Sequence, residues 1–439
     1  MRTALIAFMF GLVGAGSACA QSLDELYTAA RGYDATYLSA RALADSAQFK
    51  AAQVNALLRP TAGLATSASV NQTEFKNSDT SERSRAATLS ATQPLFNRTS
   101  STSVDQAQLQ LEASVYQLEA AEQDLIVRLA QAYFDVLAAQ DALATTRASK
   151  AAISEQLASA KRNFEVGTAT ITDTREAQAR FDLATAQEIG ADNDLRNKRI
   201  ALDQLVGRSN VQPKGLQQPA LLPTIVPTDA EAWARDGDAQ HPAVLQARLA
   251  LEVAQLETQK ARAGHLPTLD AVASLGSNYS SRSGLSSTGQ PFVGGTTSSG
   301  SIGVQLNLPL FAGYSVQNRI KETLLLEEKS RNDLEAARRT VSIATRQAYF
   351  GVQSLQAQVL ALEAAESSSS LALDATQLGY KVGVRVNIDV LNAQTQLYTT
   401  RRDLSKARYD TLVGGLKLRQ AAGQLKPEDV SAVSRLLAP

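Results

Sequence analysis

The chain has 439 residues, and its 43 Lys and Arg residues balance 43 Asp and Glu residues, so the formal net charge is zero. The lack of a basic excess argues against nucleic-acid binding. With two histidines (His241 and His265) and one cysteine (Cys19), a His/Cys metal site or a Cys–His nucleophile is nearly excluded. We therefore expect no enzymatic activity, no metal and no cofactor.

The N-terminus has the pattern of a signal peptide. Arg2 precedes an apolar stretch from Ala4 to Gly16, and Ala18-Cys19-Ala20 gives the small-residue cleavage pattern. This predicts a signal peptide over residues 1–20, cleaved after Ala20. The alternative is a lipoprotein signal with an acylated Cys19, although such signals usually carry Leu where Gly16 stands. After this segment no apolar run reaches the roughly 18 residues of a transmembrane helix.

The rest of the chain is an internal duplication. Gln131-Ala132-Tyr133-Phe134 recurs as Gln347-Ala348-Tyr349-Phe350, and Phe164-Glu165-Val166-Gly167 recurs as Tyr380-Lys381-Val382-Gly383, both 216 residues later. Ordered matches at one offset indicate two copies of one structural unit. We predict a first repeat over 21–207, a linker over 208–227, a second repeat over 228–423 and a C-terminal segment over 424–439.

Each repeat is predicted to contain one very long helix. No proline lies between Pro94 and Pro213, or between Pro309 and Pro427, and proline is the residue that most strongly disrupts a helix interior. Long helices are therefore expected over 97–161 and 312–379, about 98 and 102 Å at 1.5 Å per residue. Shorter helical stretches are predicted over 24–58, 173–206, 228–263 and 389–423.

Between the first short helix and the long helix, each repeat carries a strand pair. Ile302, Val304, Leu306 and Leu308 alternate with polar or small residues, as in a strand with one apolar face. We predict strand pairs within 61–96 and 267–311, joined by polar loops that include Lys76, Asp79, Glu82 and Arg83 in the first repeat and residues 280–301 in the second.

Strands of this length can cross an outer membrane, but four strands cannot close a barrel. An open sheet edge in lipid leaves backbone groups without hydrogen bonds, and the smallest usual barrel has about eight strands. A membrane-spanning sheet here thus requires an oligomer. The alternative from the pattern alone is a soluble protein in which the two hairpins form one small sheet.

The ordered units resemble the TolC family of outer-membrane efflux proteins over essentially the whole mature chain. The resemblance is carried by the duplicated order and by four stretches: Ser22–Tyr27, Gly264–Asp270, Leu308–Phe311 and Gly379–Ala393. It implies a mainly α fold with membrane β structure. In this family a trimer forms a twelve-stranded outer-membrane β-barrel continuous with a twelve-helix periplasmic α-barrel, and the linker and C-terminal segment belong to an equatorial belt.

The resemblance also implies the function and the partners. The expected function is a passive exit duct of a tripartite efflux or type I secretion system, located in the outer membrane. Expected partners are two further copies of the chain, a periplasmic adapter protein, an inner-membrane transporter and outer-membrane lipid. The alternative from another class is a soluble periplasmic coiled-coil adapter or scaffold, which two hairpins with strand pairs between them disfavour.

The resemblance places a selectivity site at the periplasmic entrance, formed by Asp389 and Asn392. Residues three apart share one face of a helix. Three copies of Asp389 would form a ring of carboxylates that favours cations. The family pattern carries Asp at both positions, so Asn392 implies weaker cation binding. The alternative is that Asp389 only stabilises a helix N-terminus.

The resemblance implies two further sets of residues. A closed-state latch would consist of Tyr380, Arg385, Asp173, Thr172 and Arg162, with Arg385–Asp173 as a charge-assisted hydrogen bond. If these side chains are partly exposed, such a pair contributes about 0–1 kcal/mol, which suits a switch. The turns that contact the adapter would be Val166-Gly167-Thr168 and Val382-Gly383-Val384. The alternatives are ordinary surface charge and plain turns.

Overall fold

A computed structural model describes residues 21–75, 78–217, 223–283 and 294–438. The predicted signal peptide lies outside the described residues. The described residues divide into two compact units, one within residues 1–40, 119–241 and 339–439 and the other within residues 41–118 and 242–338. The helices are α1 (Leu23–Tyr33), α2 (Ala35–Asn55), α3 (Arg98–Glu165), α4 (Ile171–Val206), α5 (Ala230–Gln240), α6 (Pro242–Ala263), α7 (Ser315–Lys381), α8 (Asn387–Ala421) and α9 (Pro427–Ser434).

The two long helices, α3 and α7, have 68 and 67 residues. Along α3 the side chains of Leu125, Leu129, Tyr133 and Val136 are almost completely buried, at the three- and four-residue steps that keep one helix face against its neighbours. Helix α7 begins three residues later than predicted, since the preceding Gly313 and Tyr314 have positive φ angles of 58° and 64°. That conformation cannot continue into a right-handed helix.

Two of the predicted short helices are interrupted. The stretch 24–58 is divided at Asp34, which has a non-helical ψ of 115° and whose side chain accepts a hydrogen bond from the Tyr37 N–H at 2.8 Å. The stretch 228–263 is divided at His241, which has a ψ of 128°. Pro242 follows as the first residue of α6. Proline disfavours helical backbone in the residue before it but suits the first helical position, so this break was readable from the sequence.

The strands form one antiparallel sheet in the order β1-β2-β3-β4. They are β1 (Thr61–Phe75), β2 (Ser78–Phe96), β3 (Thr268–Ser283) and β4 (Gly295–Asn307). The prediction of long polar loops was wrong in part, because Glu82 and Arg83 lie in β2, where Ser81 pairs with Ser283 of β3. A backbone hydrogen-bond ladder does not require apolar side chains, so alternation underestimated the strand lengths. Of the predicted loops, residues 76–77 and 284–293 lie outside the described residues.

The register divides the sheet into two chemically different faces. Leu64 pairs with Leu89, which pairs with Leu275. Ile302, opposite Ala273, lies on the same face. The other face carries mostly small or polar residues, for example Ser90. Both faces are largely exposed in the single chain. Among the described residues, no helix is long and apolar enough to cross a membrane.

Candidate entrance site

The predicted entrance residues lie at two helix–turn–helix connections, α3–α4 and α7–α8. We call residues 162–173 and 378–392 together the entrance site. In the first turn Gly167 has a φ of 79°, and the N–H groups of Gly167 and Thr168 donate to the carbonyls of Phe164 and Asn163 at 3.0 and 2.8 Å. These two bonds define a Schellman motif, which requires a left-handed residue and therefore favours glycine.

The second turn repeats this geometry. Gly383 has a φ of 82°. Its N–H donates to the Tyr380 carbonyl at 3.1 Å, and the Val384 N–H donates to the Gly379 carbonyl at 2.9 Å. The duplication seen in the sequence thus extends to individual hydrogen bonds. Each turn leaves apolar side chains exposed, with 72 % of Val166, 66 % of Val382 and 76 % of Val384 accessible.

The helices that follow the two turns begin differently. Helix α4 has a capping box, in which Thr170 Oγ1 accepts from the Asp173 N–H at 3.3 Å and Asp173 Oδ2 accepts from the Thr170 N–H at 3.0 Å. Helix α8 has Val386 at the equivalent N-cap position and no side-chain cap. Asp389, the counterpart of Asp173, therefore has no capping hydroxyl to bind. Its carboxylate is available for other partners, although it still benefits from the helix dipole.

The partner that Asp389 has in this chain is Arg385. Arg385 Nη1 lies 3.5 Å from Asp389 Oδ2, with 60 % and 35 % of the side chains accessible. Within the described residues of one chain, the predicted Arg385–Asp173 bond is not formed. The Asp173 carboxylate is instead held by Thr170, whose hydroxyl donates to it at 2.7 Å. The physical reason is proximity, since Arg385 lies in the turn just before the N-cap of α8 and Asp389 lies in the first turn of that helix. A bond between two copies of the chain stays a prediction.

The other latch residues have local partners. The Tyr380 hydroxyl accepts from Asn163 Nδ2 at 3.1 Å, which joins the end of α7 to the end of α3. Thr172 Oγ1 contacts Thr170 Oγ1. Arg162 is exposed in the last turn of α3, where its positive charge interacts favourably with the negative end of the helix dipole. Asn163 was not predicted from the sequence. The duplication did offer a signal, since the residue equivalent to Asn163 in the second repeat is Gly379. Only the first repeat therefore carries a side chain at this position that can bond to the other repeat.

Asn392 is exposed, and its Oδ1 accepts from Arg180 Nη2 at 3.0 Å. A guanidinium of α4 therefore lies next to the neutral position of the predicted selectivity site. Deeper in the same helix packing, Gln156 of α3 donates to Asn387 of α8, and Asn387 is 3 % exposed. These polar contacts between helices were not predicted, because they depend on which faces of α3, α4 and α8 meet.

With this geometry established, comparison with known proteins identifies the family. The sequence profile of the family described as "Outer membrane efflux protein" matches residues 26–208 and 234–424. The chain belongs to the outer membrane efflux protein family. It is an outer-membrane channel protein of efflux and secretion, and a transport protein rather than an enzyme. The adapter alternative is therefore not supported.

Two relatives illustrate the range of this family. Outer membrane protein TolC of Vibrio cholerae is 33 % identical over 99 % of this chain and 98 % of its own length. The alkaline protease secretion protein AprF of Pseudomonas aeruginosa is 34 % identical over 82 % of this chain and 74 % of its own. The resemblance drawn from the sequence is confirmed, and a relative named for secretion stands beside TolC.

Solved structures support the fold. The outer membrane protein VceC from Vibrio cholerae matches with a TM-score of 0.76 and 21 % identity, covering 91 % of this chain and 96 % of that one. The CmeC outer membrane channel of Campylobacter jejuni matches with a TM-score of 0.78 and 16 % identity over 100 % and 98 %. At such low identity the likeness concerns the fold alone, which is mainly helical and that of an outer-membrane channel.

Proposed function

We propose that three copies of this chain close into a twelve-stranded β-barrel in the outer membrane. The observation that carries the proposal is the sheet itself. Its outer strands, β1 and β4, each pair on one side only in the order β1-β2-β3-β4. An edge of 13 to 15 residues facing lipid would leave many backbone groups without partners, each costing several kcal/mol. Pairing β4 of one copy with β1 of the next removes every edge.

The same trimer brings six helical hairpins together, two from each chain, as the twelve helices of a periplasmic α-barrel. Its entrance would lie at the α3–α4 and α7–α8 turns. Three Asp389 carboxylates then face one axis and form a cation-selective ring. Arg385 lies 3.5 Å from Asp389 and competes with cations for the carboxylate. Asn392 accepts a hydrogen bond from Arg180. Position 392 therefore forms no second acidic ring, and it holds the positive guanidinium group of Arg180 nearby.

The exposed valines of the two turns are the surface for a periplasmic adapter. A rigid turn with a fixed hydrogen-bond pattern presents its side chains at little entropic cost on binding. Because the two turns share one backbone geometry, six nearly equivalent apolar tips would meet the adapter in the assembly. The adapter and an inner-membrane transporter supply cargo and energy, and the duct itself conducts passively.

The test is planar-bilayer conductance of the purified protein with added divalent cations. Wild type should form discrete channels that divalent cations block from the entrance side. Asp389→Ala should form the same channels with much weaker block. Asn392→Asp, which adds a second ring, should strengthen the block. Asp374→Ala is the matched control, because Asp374 is an exposed carboxylate of α7 outside the entrance site, and its loss should leave block unchanged.

The outcomes separate the parts of the proposal. Channels with equal block in wild type and Asp389→Ala would retain the duct and reject the carboxylate ring. Folded protein that stays monomeric and gives no channels would reject the trimer. Weaker block in Asp374→Ala as well would show a general effect of negative charge in the duct rather than a local site.

A further inference from the structure

The sheet carries an arginine pair on the face that holds its apolar residues. Side chains alternate between the faces of a strand, so Arg83, Arg85 and Leu89 of β2 share one face, while Glu82 lies on the other. The register places Arg85 opposite Tyr279 of β3. Both arginines are exposed, and within the described part of the chain neither makes an ion pair or a hydrogen bond.

The position of this pair along the strands follows from the length of the apolar face. The apolar face of β3 begins at Leu269 and reaches Tyr279 ten residues later, about 34 Å at 3.4 Å per residue. A strand tilt of about 40° shortens this to about 26 Å along the barrel axis, and the lipid-facing band of such barrels is about 25 Å tall. Arg85 therefore lies level with the end of the apolar band, and Arg83 lies just beyond it.

Aromatic residues mark the other end of this apolar band. Phe96 of β2 lies opposite Leu269, and Phe311 and Tyr314 follow β4, their rings 5.6 Å apart in a T-shaped contact. Both rings are largely exposed, 76 % and 64 %. Exposed aromatic residues mark the two lipid–water boundaries of membrane barrels. The band between these rings and Tyr279 is bounded at each end, so the arginines lie at the level of lipid head groups.

We propose that Arg83 and Arg85 bind the phosphate groups of a phosphorylated glycolipid in the outer leaflet. This rests on the proposed barrel, with the β1–β2 hairpin directed outward. Arg83 and Arg85 are alternate residues of one strand, so their Cα atoms lie about 7 Å apart, and among the described side chains no carboxylate is paired with either guanidinium group. Arginine recognises phosphate with two parallel N–H donors. Three copies of the chain would give the trimer three such sites around its outer rim.

The test compares wild type with the double variant R83Q/R85Q, using the purified trimer in detergent and native mass spectrometry to count bound lipid. The probe is diphosphorylated lipid A, and its dephosphorylated form and phosphatidylglycerol are run in parallel. Each basic residue near a membrane surface contributes about 1 kcal/mol, or about fivefold. We expect the double variant to bind lipid A about 25-fold more weakly, and R83K/R85K to recover part of the loss.

The matched control is Arg59→Gln, because Arg59 is an exposed arginine just before β1, at the opposite end of the sheet. It should bind lipid A as wild type does. Equal binding by wild type and R83Q/R85Q would overturn the proposal. Equal loss of all three lipids, or binding of inorganic phosphate alone with the same affinity, would overturn the assignment to a glycolipid.

Channel conductance on the same preparations separates this proposal from the barrel on which it rests. Variants that form normal trimeric channels but retain less lipid A support the site. If normal channels form and no variant changes lipid binding, the arginine site fails while the duct stands. If wild type forms no channels at all, the duct fails, and the site fails with it.

Discussion

The substitution Val386→Thr tests the reasoning about the entrance site most directly. Val386 and Thr170 occupy equivalent N-cap positions with nearly the same backbone, φ and ψ of −100° and 161° against −91° and 158°. Val386 is 56 % exposed, so a threonine there loses little packing. The new hydroxyl should form in α8 the capping box that Thr170 forms with Asp173 in α4, and it should take Asp389 as the partner.

The expected size of the effect follows from capping energies. A threonine N-cap stabilises a helix by about 1 kcal/mol relative to an apolar residue. A cation at the ring must then break the hydrogen bond that the Asp389 carboxylate accepts from the new cap residue, which contributes about 1 kcal/mol, or about fivefold in affinity. We expect the divalent concentration for half-block to rise about fivefold, and more if all three carboxylates must turn together. The thermal midpoint of unfolding should rise at the same time.

Bilayer conductance gives the block, and thermal unfolding of the same protein shows whether the cap has formed. Val386→Ala is the control, because it shortens the side chain without adding a hydroxyl, and it should keep wild-type block. A higher thermal midpoint with unchanged block would refute the role of Asp389 in block. An equal loss of block in Val386→Ala would attribute the effect to the missing valine methyl groups.

Three further predictions follow from the same structure. Arg385→Gln removes the positive side chain that competes with divalent cations for Asp389. Because an exposed pair contributes about 0–1 kcal/mol, bilayer conductance should show block by divalent cations up to about fivefold tighter. Weaker block would contradict the pairing. Gly423→Ala should lower the thermal midpoint far more than Gly383→Ala. Both glycines have positive φ, which costs an alanine about 1–2 kcal/mol at either position. A Cβ on Gly423 would in addition lie 2.4 Å from the His241 Cα, whereas one on Gly383 meets nothing within 4 Å. Hydrogen bonds from the Arg128 guanidinium at 3.0 and 3.1 Å hold the pKa of Asp34 below its usual 3.8, so the stability they provide is complete above that pH and is lost as the pH falls through the lowered value. Thermal midpoints measured against pH should therefore show Asp34→Asn less stable than wild type by a constant amount above about pH 5, with the difference shrinking below about pH 4. A difference that persists in acid would exclude this linkage.

Much of the fold was predictable because the signals are long. A span free of proline and a repeat at one offset of 216 residues identify the two long helices and the duplication. The Val-Gly turns were predictable for a local reason, since Gly167 and Gly383 supply the left-handed backbone that ends a helix. The break at Pro242 was equally local and was overlooked, because the stretch was read only for its helical periodicity.

The side-chain partners at the entrance were harder to predict. The sequence pointed to Tyr380, Arg385 and Asp389, and it paired Arg385 with Asp173, a bond that stays a prediction between two copies of the chain. A bond between residues 212 apart competes with one between residues four apart, and the nearer carboxylate lies in the first turn of α8, just after the turn that holds Arg385. Asp173 is engaged by Thr170 through a capping box, a motif that the sequence Thr170-Ile171-Thr172-Asp173 contains.

The order of the elements, the duplication, the two turns and the alternating apolar face of the sheet are all encoded locally in the sequence. These depend on backbone preferences and on the periods of helix and strand, which act over a few residues or repeat along a segment. Only the tertiary structure decided that Asn163 reaches Tyr380, that Arg180 reaches Asn392, and that Arg85 lies opposite Tyr279. Each of these contacts joins distant parts of the chain, so it is fixed by how the helices pack and how the strands align. A shift of one residue in the strand register would move the side chains of a strand to the opposite face of the sheet.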